Sequence, residues 1–256
     1  MKGLQPLLLK DVVKNFGQLA AVSRLSLQVD QGERHAIVGP NGAGKTTLFN
    51  LISGTERLTS GEIILFGQDV SNMPAYRRAA MGLARTFQVT TLFQSLTVFE
   101  NVLLATQAET PFRLAIYKPV GLYSKVVSQA EKIVSQWNLE DKQDLVVSSL
   151  SYGAQRQLEV IMALAKNPRV LLLDEPTAGL SPFETSEMSR FLRSLDGSVT
   201  LLIIEHDMDV VFSLANKITV MHFGKIIAQG TPKEIKGHPE VTAIYLGTRS
   251  KSYVNH

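Results

Sequence analysis

The sequence predicts an α/β fold in which a core of buried strands is joined to a β-rich N-terminal part and a helical insertion. Two apolar runs, at residues 169–173 and 199–204, are typical of strands buried on both faces of a parallel sheet. Residues 7–38 carry β-like runs, whereas residues 97–166 carry helical patterns. With 256 residues, 45% of them hydrophobic, the chain is long enough to bury a sizeable core.

The strands predicted in the first part of the chain follow one another closely. Residues 25–29 alternate between apolar and polar side chains, which is typical of a half-buried strand. Residues 34–38 form an apolar run that predicts a buried strand, and residues 47–52 predict a helix soon after it. Residues 61–67 predict a further strand, with a glycine at each end.

Helices dominate the middle of the chain and return near its end. Helical patterns cover residues 123–137 and 155–166, and residues 110–121 predict a loop because they include two prolines and a glycine. The stretches 181–184 and 231–234 each offer a hydroxyl for the N-cap, a proline at the next position and a glutamate three residues after the cap. Each therefore predicts the start of a helix.

Composition and charge exclude several classes of protein. The net charge of +3 and the lack of a basic run give no reason to expect a nucleic-acid partner, and the absence of cysteine excludes disulfides and thiolate metal sites. The apolar run Leu7–Leu9 is too short for a signal peptide, and residues 199–204 are far shorter than the ~20 residues that span a bilayer. We expect a chain that neither crosses a membrane nor is exported, but that can dock on a membrane protein.

A phosphate-binding loop, of the pattern GxxxxGK[ST], lies between the predicted strand 34–38 and the helix after it. Its glycines allow a tight curl that points successive N–H groups at phosphate oxygens, and the helix adds the positive end of its dipole. The Lys45 ammonium can reach the β- and γ-phosphates, and the Thr46 hydroxyl can ligate Mg²⁺. The predicted nucleotide-binding residues are Gly39, Pro40, Asn41, Gly42, Ala43, Gly44, Lys45, Thr46 and Thr47.

Two carboxylates end the apolar run at 169–173. Asp174 suits the coordination shell of Mg²⁺, and Glu175 is placed to orient or deprotonate the water that attacks the γ-phosphate. An acidic strand end alone is commonly a solvated turn. Here it follows a phosphate-binding loop, and the pair therefore indicates a nucleoside triphosphatase.

The stretch Leu150–Gln155, which reads LSYGAQ and precedes a predicted helix, separates classes of nucleoside triphosphatase. The order of phosphate loop, Gln88, this stretch, the acidic strand end and His206 resembles the ATP-binding subunits of ABC transporters over nearly the whole chain. The resemblance implies a P-loop ABC-type ATPase with a mixed β core, an N-terminal antiparallel β subdomain and a helical insertion. It implies one domain over 1–256, with the core in about 1–87 and 167–256 and the insertion in about 88–166, ending in the signature helix.

The same resemblance implies roles for five further residues. Ser151 and Gly153 bind the γ-phosphate of an ATP held by the opposite subunit; a serine hydroxyl, a glycine backbone and a helix N-terminus together suit an anion. Gln88 contacts the metal and water and connects to the membrane partner. His206 hydrogen-bonds the γ-phosphate, and Phe16 stacks on adenine, although a phenylalanine at a strand end is as often a core residue. ATP and Mg²⁺ are the implied cofactors, and Glu175, His206, Gln88 and Lys45 the implied catalytic residues.

Three positions depart from the family pattern. The signature has Tyr152 where glycine is usual and Ala154 where glutamine is usual, so that the side-chain contact from position 154 is lost. Ser181 replaces the usual aspartate of the D-loop, the segment that follows the acidic strand end. The departures leave open a regulatory module that holds ATP but barely hydrolyses it.

A transporter subunit with separate membrane-spanning chains is the implied assembly, because the chain carries one ATPase cassette and lacks the long coiled coils of chromosome and repair ATPases. Several stretches are similar to the ATPases of branched-chain amino acid importers: residues 82–88, 150–153, 178–182, 204–210, 230–235 and 245–247. The implied partners are a second ABC ATPase subunit (identical or not), integral membrane permeases and a periplasmic or extracellular solute-binding protein, without nucleic acid, at the cytoplasmic face of the plasma membrane. An ATPase that acts on nucleic acid or ribosomes, and a subunit for urea or lipid export, remain alternatives.

Overall fold

The computed structural model describes residues 5–86, 92–108 and 124–244. The strands of this part of the chain, in order, are β1 (Leu7–Phe16), β2 (Leu19–Val29), β3 (Arg34–Val38), β4 (Ser60–Leu65), β5 (Gln68–Asp69), β6 (Leu83–Arg85), β7 (Val170–Asp174), β8 (Thr200–Ile204), β9 (Lys217–His222) and β10 (Lys225–Gly230). The helices are α1 (Lys45–Ser53), α2 (Ala75–Ala80), α3 (Val98–Ala108), α4 (Ser124–Gln136), α5 (Tyr152–Leu164), α6 (Pro182–Ser194), α7 (Met208–Leu214) and α8 (Pro232–Lys236).

The described strands form two sheets. The N-terminal sheet has the order β2-β1-β4-β5, and the pairs β1–β2, β1–β4 and β4–β5 are antiparallel. The second sheet has the order β10-β9-β3-β8-β7-β6; it is parallel from β9 to β6, and β10 is antiparallel to β9. Every residue of β7 and β8 is buried, as expected for parallel strands covered on both faces. The predicted α/β fold with a mixed core sheet and an antiparallel N-terminal sheet is confirmed.

Helix α1 lies between the two sheets and joins them into one core. Its Leu48, Phe49, Leu51 and Ile52 are fully buried. They pack in one cluster with residues of β1 and β4 on one side and of β7 and β8 on the other. Because α1 begins directly after the loop at 39–44, this packing fixes the position of the loop against both sheets.

Helices α3, α4 and α5 pack together in the region where the insertion is predicted. Their cluster includes Val102, Ala130, Ile133, Leu158 and Ile161. The other face of α5 packs with β7, β8 and α6, which connects this helical region to the core. The proposed boundaries at about 88 and 166 stay a prediction.

The predicted elements are found with shifts at their ends. Helix α5 begins at Tyr152 and not at Gln155, because Ser151 caps it. The predicted helix starts at 181 and 231 are confirmed as capping boxes, in which the hydroxyl and the glutamate satisfy each other's backbone N–H groups. The predicted loop at 110–121 and the stretch 245–247 lie outside the described residues. Within those residues, none of the helices has both the length and the apolar character needed to cross a bilayer.

Candidate active site

The loop between β3 and α1 depends on its glycines. Gly44, the N-cap of α1, has φ +99°, and Gly42 has φ +79°. A Cβ on Gly44 would lie 2.3 Å from the carbonyl oxygen of Ala21 in β2, and a Cβ on Gly39 would lie 2.2 Å from that of Met221 in β9. The loop therefore lies against β2 and β9, and a side chain at Gly44 or Gly39 would clash with those strands.

Lys45 lies over this loop. Its side chain is buried, and its Nζ donates to the carbonyl oxygens of Gly39 at 2.6 Å and Pro40 at 3.1 Å. Burial lowers the pKa of Lys45, while the negative charges of Glu175 and Asp174 oppose that shift. The first-turn N–H groups of α1 have no partner within the helix, and Thr46 in this turn is exposed. The arrangement provides a cationic cradle for phosphate.

Asp174 ends β7 beside this cradle. Its Oδ2 accepts a hydrogen bond from Nη2 of Arg85 at 3.1 Å, and its buried Oδ1 has no hydrogen-bond partner among the described residues. Burial raises the pKa of Asp174, and the bond from Arg85 partly offsets this. A buried carboxylate oxygen of this kind, together with the exposed hydroxyl of Thr46 in the phosphate cradle, fits the donor set that Mg²⁺ takes alongside phosphate oxygens.

Arg85 is a site residue that the sequence did not reveal. It donates from Nη1 to Oδ1 of Asn50 at 2.7 Å and to Oγ of Ser53 at 3.1 Å, both in α1, as well as to Asp174. It thereby ties the Asp174 carboxylate to the helix that follows the phosphate loop. Its charge in the short apolar strand β6 was the only signal, and nothing in the sequence identified its partners.

Glu175 and His206 lie at the ends of neighbouring strands. Glu175 follows β7 with φ +49°, and its backbone N–H donates to the carbonyl oxygen of Ile204 at 2.9 Å. Its Oε1 lies 3.8 Å from Nδ1 of His206, whose side chain is mostly exposed. A left-handed backbone at a glutamate costs energy, and such costs are characteristic of functional sites. The geometry places a carboxylate and an imidazole side by side at the carboxyl edge of the sheet.

Glu205, which precedes His206, holds the backbone beside this pair through hydrogen bonds. Its buried Oε1 accepts hydrogen bonds from the backbone N–H of Thr177 at 3.1 Å and from the Thr177 hydroxyl at 2.6 Å. Its Oε2 accepts from the backbone N–H of His206 at 3.2 Å. The carboxylate thus fixes the loop after β7 against the end of β8. Sequence reasoning passed over Glu205, because a carboxylate at a strand end is usually solvated.

Replacing Glu205 by glutamine should change how stability depends on pH. Burial raises the pKa of Glu205 above 4.5, so its contribution to folding is fully present below pH 4.5 and is lost as the pH rises through the raised value. Glutamine does not titrate. The unfolding free energy of the variant minus that of the wild type should therefore increase as the pH rises above about 4.5, as measured by urea denaturation. A difference that stays constant with pH would contradict this.

The signature lies at the start of α5. Ser151 is the N-cap, and its Oγ accepts from the backbone N–H of Ala154 at 3.2 Å. The backbone N–H of Gly153 donates to Oε1 of Glu184 in α6 at 3.0 Å. Tyr152 is partly exposed, and a Cβ on Gly179 would lie 3.3 Å from its ring. These contacts join the signature to the D-loop of its own chain and not to its own phosphate loop.

Phe16 and Gln88 are the two other predicted site residues. Phe16, at the end of β1, is 46% exposed, so it is not a core residue; Nζ of Lys14 lies 4.7 Å from its ring centroid. Phe16 lies at the turn of the β1–β2 hairpin, and Ala21, near the start of β2, lies against Gly44 of the phosphate loop. Gln88 lies outside the described residues.

Comparison with known proteins identifies the family of this chain. A family model described as ABC transporter matches residues 22–178, and one described as branched-chain amino acid ATP-binding cassette transporter matches residues 225–250. The high-affinity branched-chain amino acid transport ATP-binding protein LivG of Salmonella typhimurium is 38% identical over 95% of this chain and 98% of its own length. The corresponding protein BraF of Pseudomonas aeruginosa is 37% identical over 91% of this chain and 94% of its own length.

A solved structure has the same fold as this chain. The crystal structure of the ADP conformation of an ATP-binding cassette of an ABC transporter has a TM-score of 0.84 and 32% identity to this chain, and the match covers 95% of this chain and 99% of that one. The phosphate cradle, the acidic strand end and the signature helix occur here in one chain with that fold. The chain therefore belongs to the ABC transporter family and is an ATP-binding, ATP-hydrolysing subunit homologous to the branched-chain amino acid transport ATP-binding proteins.

Proposed function

We propose that this subunit drives the uptake of branched-chain or other hydrophobic amino acids, as one half of an ATPase dimer bound to membrane permeases. Two ATP molecules are held between the phosphate loop of one subunit and the signature of the other. The observation that carries the proposal is that Lys45, Asp174, Glu175 and His206 lie together, while Ser151 and Gly153 lie on a separate helix. A site divided in this way needs a second subunit to complete it.

Each residue has a distinct task in the proposed reaction. The residues from Gly39 to Thr47 bind the phosphates through backbone N–H groups and the Lys45 ammonium. Glu175 orients the attacking water and accepts its proton at a carboxylate oxygen, and His206 donates a hydrogen bond to the γ-phosphate. Phe16 stacks on the adenine. Charge neutralisation and positioning supply most of the rate enhancement.

Mg²⁺ belongs to this proposal as the cation that neutralises the β- and γ-phosphate charge. Thr46 and Asp174 are the described residues that would hold it, with Gln88 as a further candidate, and the free Oδ1 of Asp174 supports that assignment. Arg85 keeps the carboxylate turned toward the cradle through its bond to Oδ2.

The proposed solute follows from the relatives, because the solute does not touch an ATPase subunit. The printed names of LivG and BraF concern branched-chain amino acid transport, and the match at residues 225–250 is to the C-terminal part of such cassettes. The complex also contains a solute-binding protein outside the membrane, and this subunit docks at the inner face. The second ATPase subunit is either identical to this one or a homologue.

The permease docks on the helical region that follows Gln88 in the chain. Three apolar side chains of this region are exposed: Phe93 by 54%, Leu145 by 46% and Val146 by 38%. They lie near one another, since the backbone of Ser148 donates to the carbonyl of Gln94 and that of Val98 donates to the carbonyl of Leu145. An exposed apolar group of this kind suits a protein partner.

Replacing Lys45 by alanine tests the nucleotide site. The variant loses the ammonium that contacts the β- and γ-phosphates, and we expect ATP affinity to fall about 100-fold, since buried charged contacts contribute about 3 kcal/mol. Binding of a fluorescent ATP analogue measures this, and the melting temperature without nucleotide checks the fold. Lys217, a half-buried residue at the start of β9, provides the control variant K217A, which should bind ATP normally. Unchanged binding by K45A would contradict the role of the loop.

Co-purification tests the assembly. Integral membrane proteins should accompany the affinity-tagged subunit from detergent-solubilised membranes, and nucleic acid should not. Substitution of Phe93 and Val146 by serine should release those membrane proteins without lowering ATP binding by the subunit. Co-purification of ribosomes or nucleic acid in place of membrane proteins would overturn the transport assignment, and solute uptake by the reconstituted complex would identify the solute.

A further inference from the structure

Glu184 makes contacts with the signature, at Gly153 and Ser151, that its role as the cap of α6 does not require. In the capping box of α6, its Oε2 accepts hydrogen bonds from the backbone N–H of Ser181 at 3.0 Å and from the Ser181 hydroxyl at 2.8 Å. Its other oxygen, Oε1, accepts from the backbone N–H of Gly153 at 3.0 Å. One carboxylate therefore serves the N-termini of two helices, α5 and α6.

The close approach of the two helices depends on Gly153. A Cβ at this position would lie 2.8 Å from both Cγ and Oε1 of Glu184 and 2.9 Å from its Cβ. The glycine has ordinary backbone angles, because it is not among the residues with positive φ. Space for Glu184, rather than an unusual backbone, accounts for the absence of a side chain at Gly153.

The N–H of Gly153 is also one of the groups that the proposed function assigns to the γ-phosphate of the opposite subunit's ATP. A single N–H cannot serve two anions well, and a carboxylate and a phosphate that approach the same donor repel each other. Glu184 can release this donor without losing its place, because Oε2 retains both bonds from Ser181.

We propose that Glu184 is a positioning residue that occupies the phosphate-binding N–H of Gly153 in the separate subunit and yields it to the γ-phosphate when the dimer closes. This inference rests on the proposed function, since it requires ATP to lie between two subunits. While Glu184 is in place, the signature keeps its shape and its N–H keeps an anionic partner. Dimer closure then carries the cost of displacing a carboxylate, which sets the ATP concentration at which closure occurs.

The test compares two glutamates that cap helices in the same way. Glu234 forms a capping box with Thr231 at α8, where its Oε2 accepts from the Thr231 N–H at 2.7 Å and the hydroxyl at 2.9 Å. Its carboxylate caps α8, whereas that of Glu184 also contacts the signature at the start of α5. E184Q and E234Q thus remove the same charge from the same type of cap, and only E184Q removes it from the Gly153 N–H.

Dimerisation is measured against ATP concentration by light scattering, in a Glu175→Gln background that blocks hydrolysis. E184Q should reach half-maximal dimerisation at about fivefold less ATP, since a hydrogen bond to a charged group exceeds one to a neutral group by about this factor. E234Q should not shift that concentration, and both variants should melt within a few degrees of each other. With Glu175 intact, E184Q should lower KM for ATP about fivefold and change kcat by less than about twofold.

Other outcomes distinguish a failure of this inference from a failure of the proposed function. If E184Q and E234Q need the same ATP concentration, or E184Q needs more, Glu184 is only a cap and the inference is wrong. If the Glu175→Gln protein itself forms no dimer with ATP, the proposed function fails first. E184D keeps the cap charge but is one methylene shorter and cannot reach Gly153, so it should shift in the same direction as E184Q by a smaller factor; it takes the place of E184Q if that variant does not fold.

Discussion

Replacing Glu175 by glutamine should lower kcat for ATP about 1000-fold, leave ATP binding intact and trap the subunit as a dimer. A general base contributes a factor of this order, and an amide cannot accept the proton of the attacking water. The fold should persist, because glutamine adopts the φ of +49° no less easily than glutamate and the backbone bond from residue 175 to Ile204 remains. Phosphate release measures the rate, and size-exclusion chromatography with ATP measures the dimer.

Glu187 provides the control for this variant. It lies on α6, is 37% exposed and pairs with Arg190 on the same helix, away from the phosphate cradle. Glu187→Gln removes the same charge and should leave kcat and the oligomeric state unchanged, because exposed pairs contribute little. If Glu175→Gln hydrolyses ATP as fast as this control, another group is the base; if it stays monomeric with ATP, the proposed ATP-bound dimer is wrong.

Replacing Arg78 by methionine should lower the free energy of unfolding by about 3–5 kcal/mol. Arg78 is 2% exposed and donates to four backbone carbonyls: to Leu51 at 2.6 Å, Ile52 at 2.8 Å, Met73 at 2.9 Å and Ser71 at 3.3 Å. The first two end α1, the helix of the phosphate loop. Burial lowers the pKa of Arg78, and these carbonyls compensate the buried charge. Methionine fills the space but removes all four of these hydrogen bonds, and the Leu51 oxygen keeps only its bond from the N–H of Gly54.

The melting temperature should fall by about 10 °C in a protein of this size. Arg77, the preceding residue in α2, is exposed, and Arg77→Met should stay within about 0.5 kcal/mol of the wild type. Thermal and urea unfolding of both variants, without nucleotide, make the comparison. Equal stability of the two variants would show that the buried bonds of Arg78 do not support α1.

The fold was largely predictable from the sequence because its strands and caps carry local signals. Apolar runs identified β3, β7 and β8, and the pattern of hydroxyl, proline and glutamate identified the starts of α6 and α8. The predicted start of α5, at Gln155, lies three residues after the observed start, because Ser151 caps the helix and Tyr152 begins it.

The residues that the sequence did not reveal all act on distant partners. Arg78 and Arg85 hold carbonyls and side chains of α1, about 25 to 35 residues away, and Glu205 holds Thr177, 28 residues away. Glu184 was predicted as a cap from its spacing to Ser181, but its second oxygen serves Gly153, 31 residues back. Spacing along the sequence predicts the local hydrogen bond of such a residue, whereas its bond to a distant partner is seen only in the folded structure.

The strand order of the core sheet has a consequence for how the chain acquires its nucleotide site during synthesis. β3, which leads into the phosphate loop, is paired on both sides, with β8 and β9, and Gly39 is packed against Met221. These partners are translated about 160 to 180 residues after β3, and such long-range pairings slow folding. Until residues up to 221 have left the ribosome, β3 lacks both neighbouring strands and Gly39 lacks its contact with Met221, so the nucleotide site can form only after β8 and β9 have been synthesised.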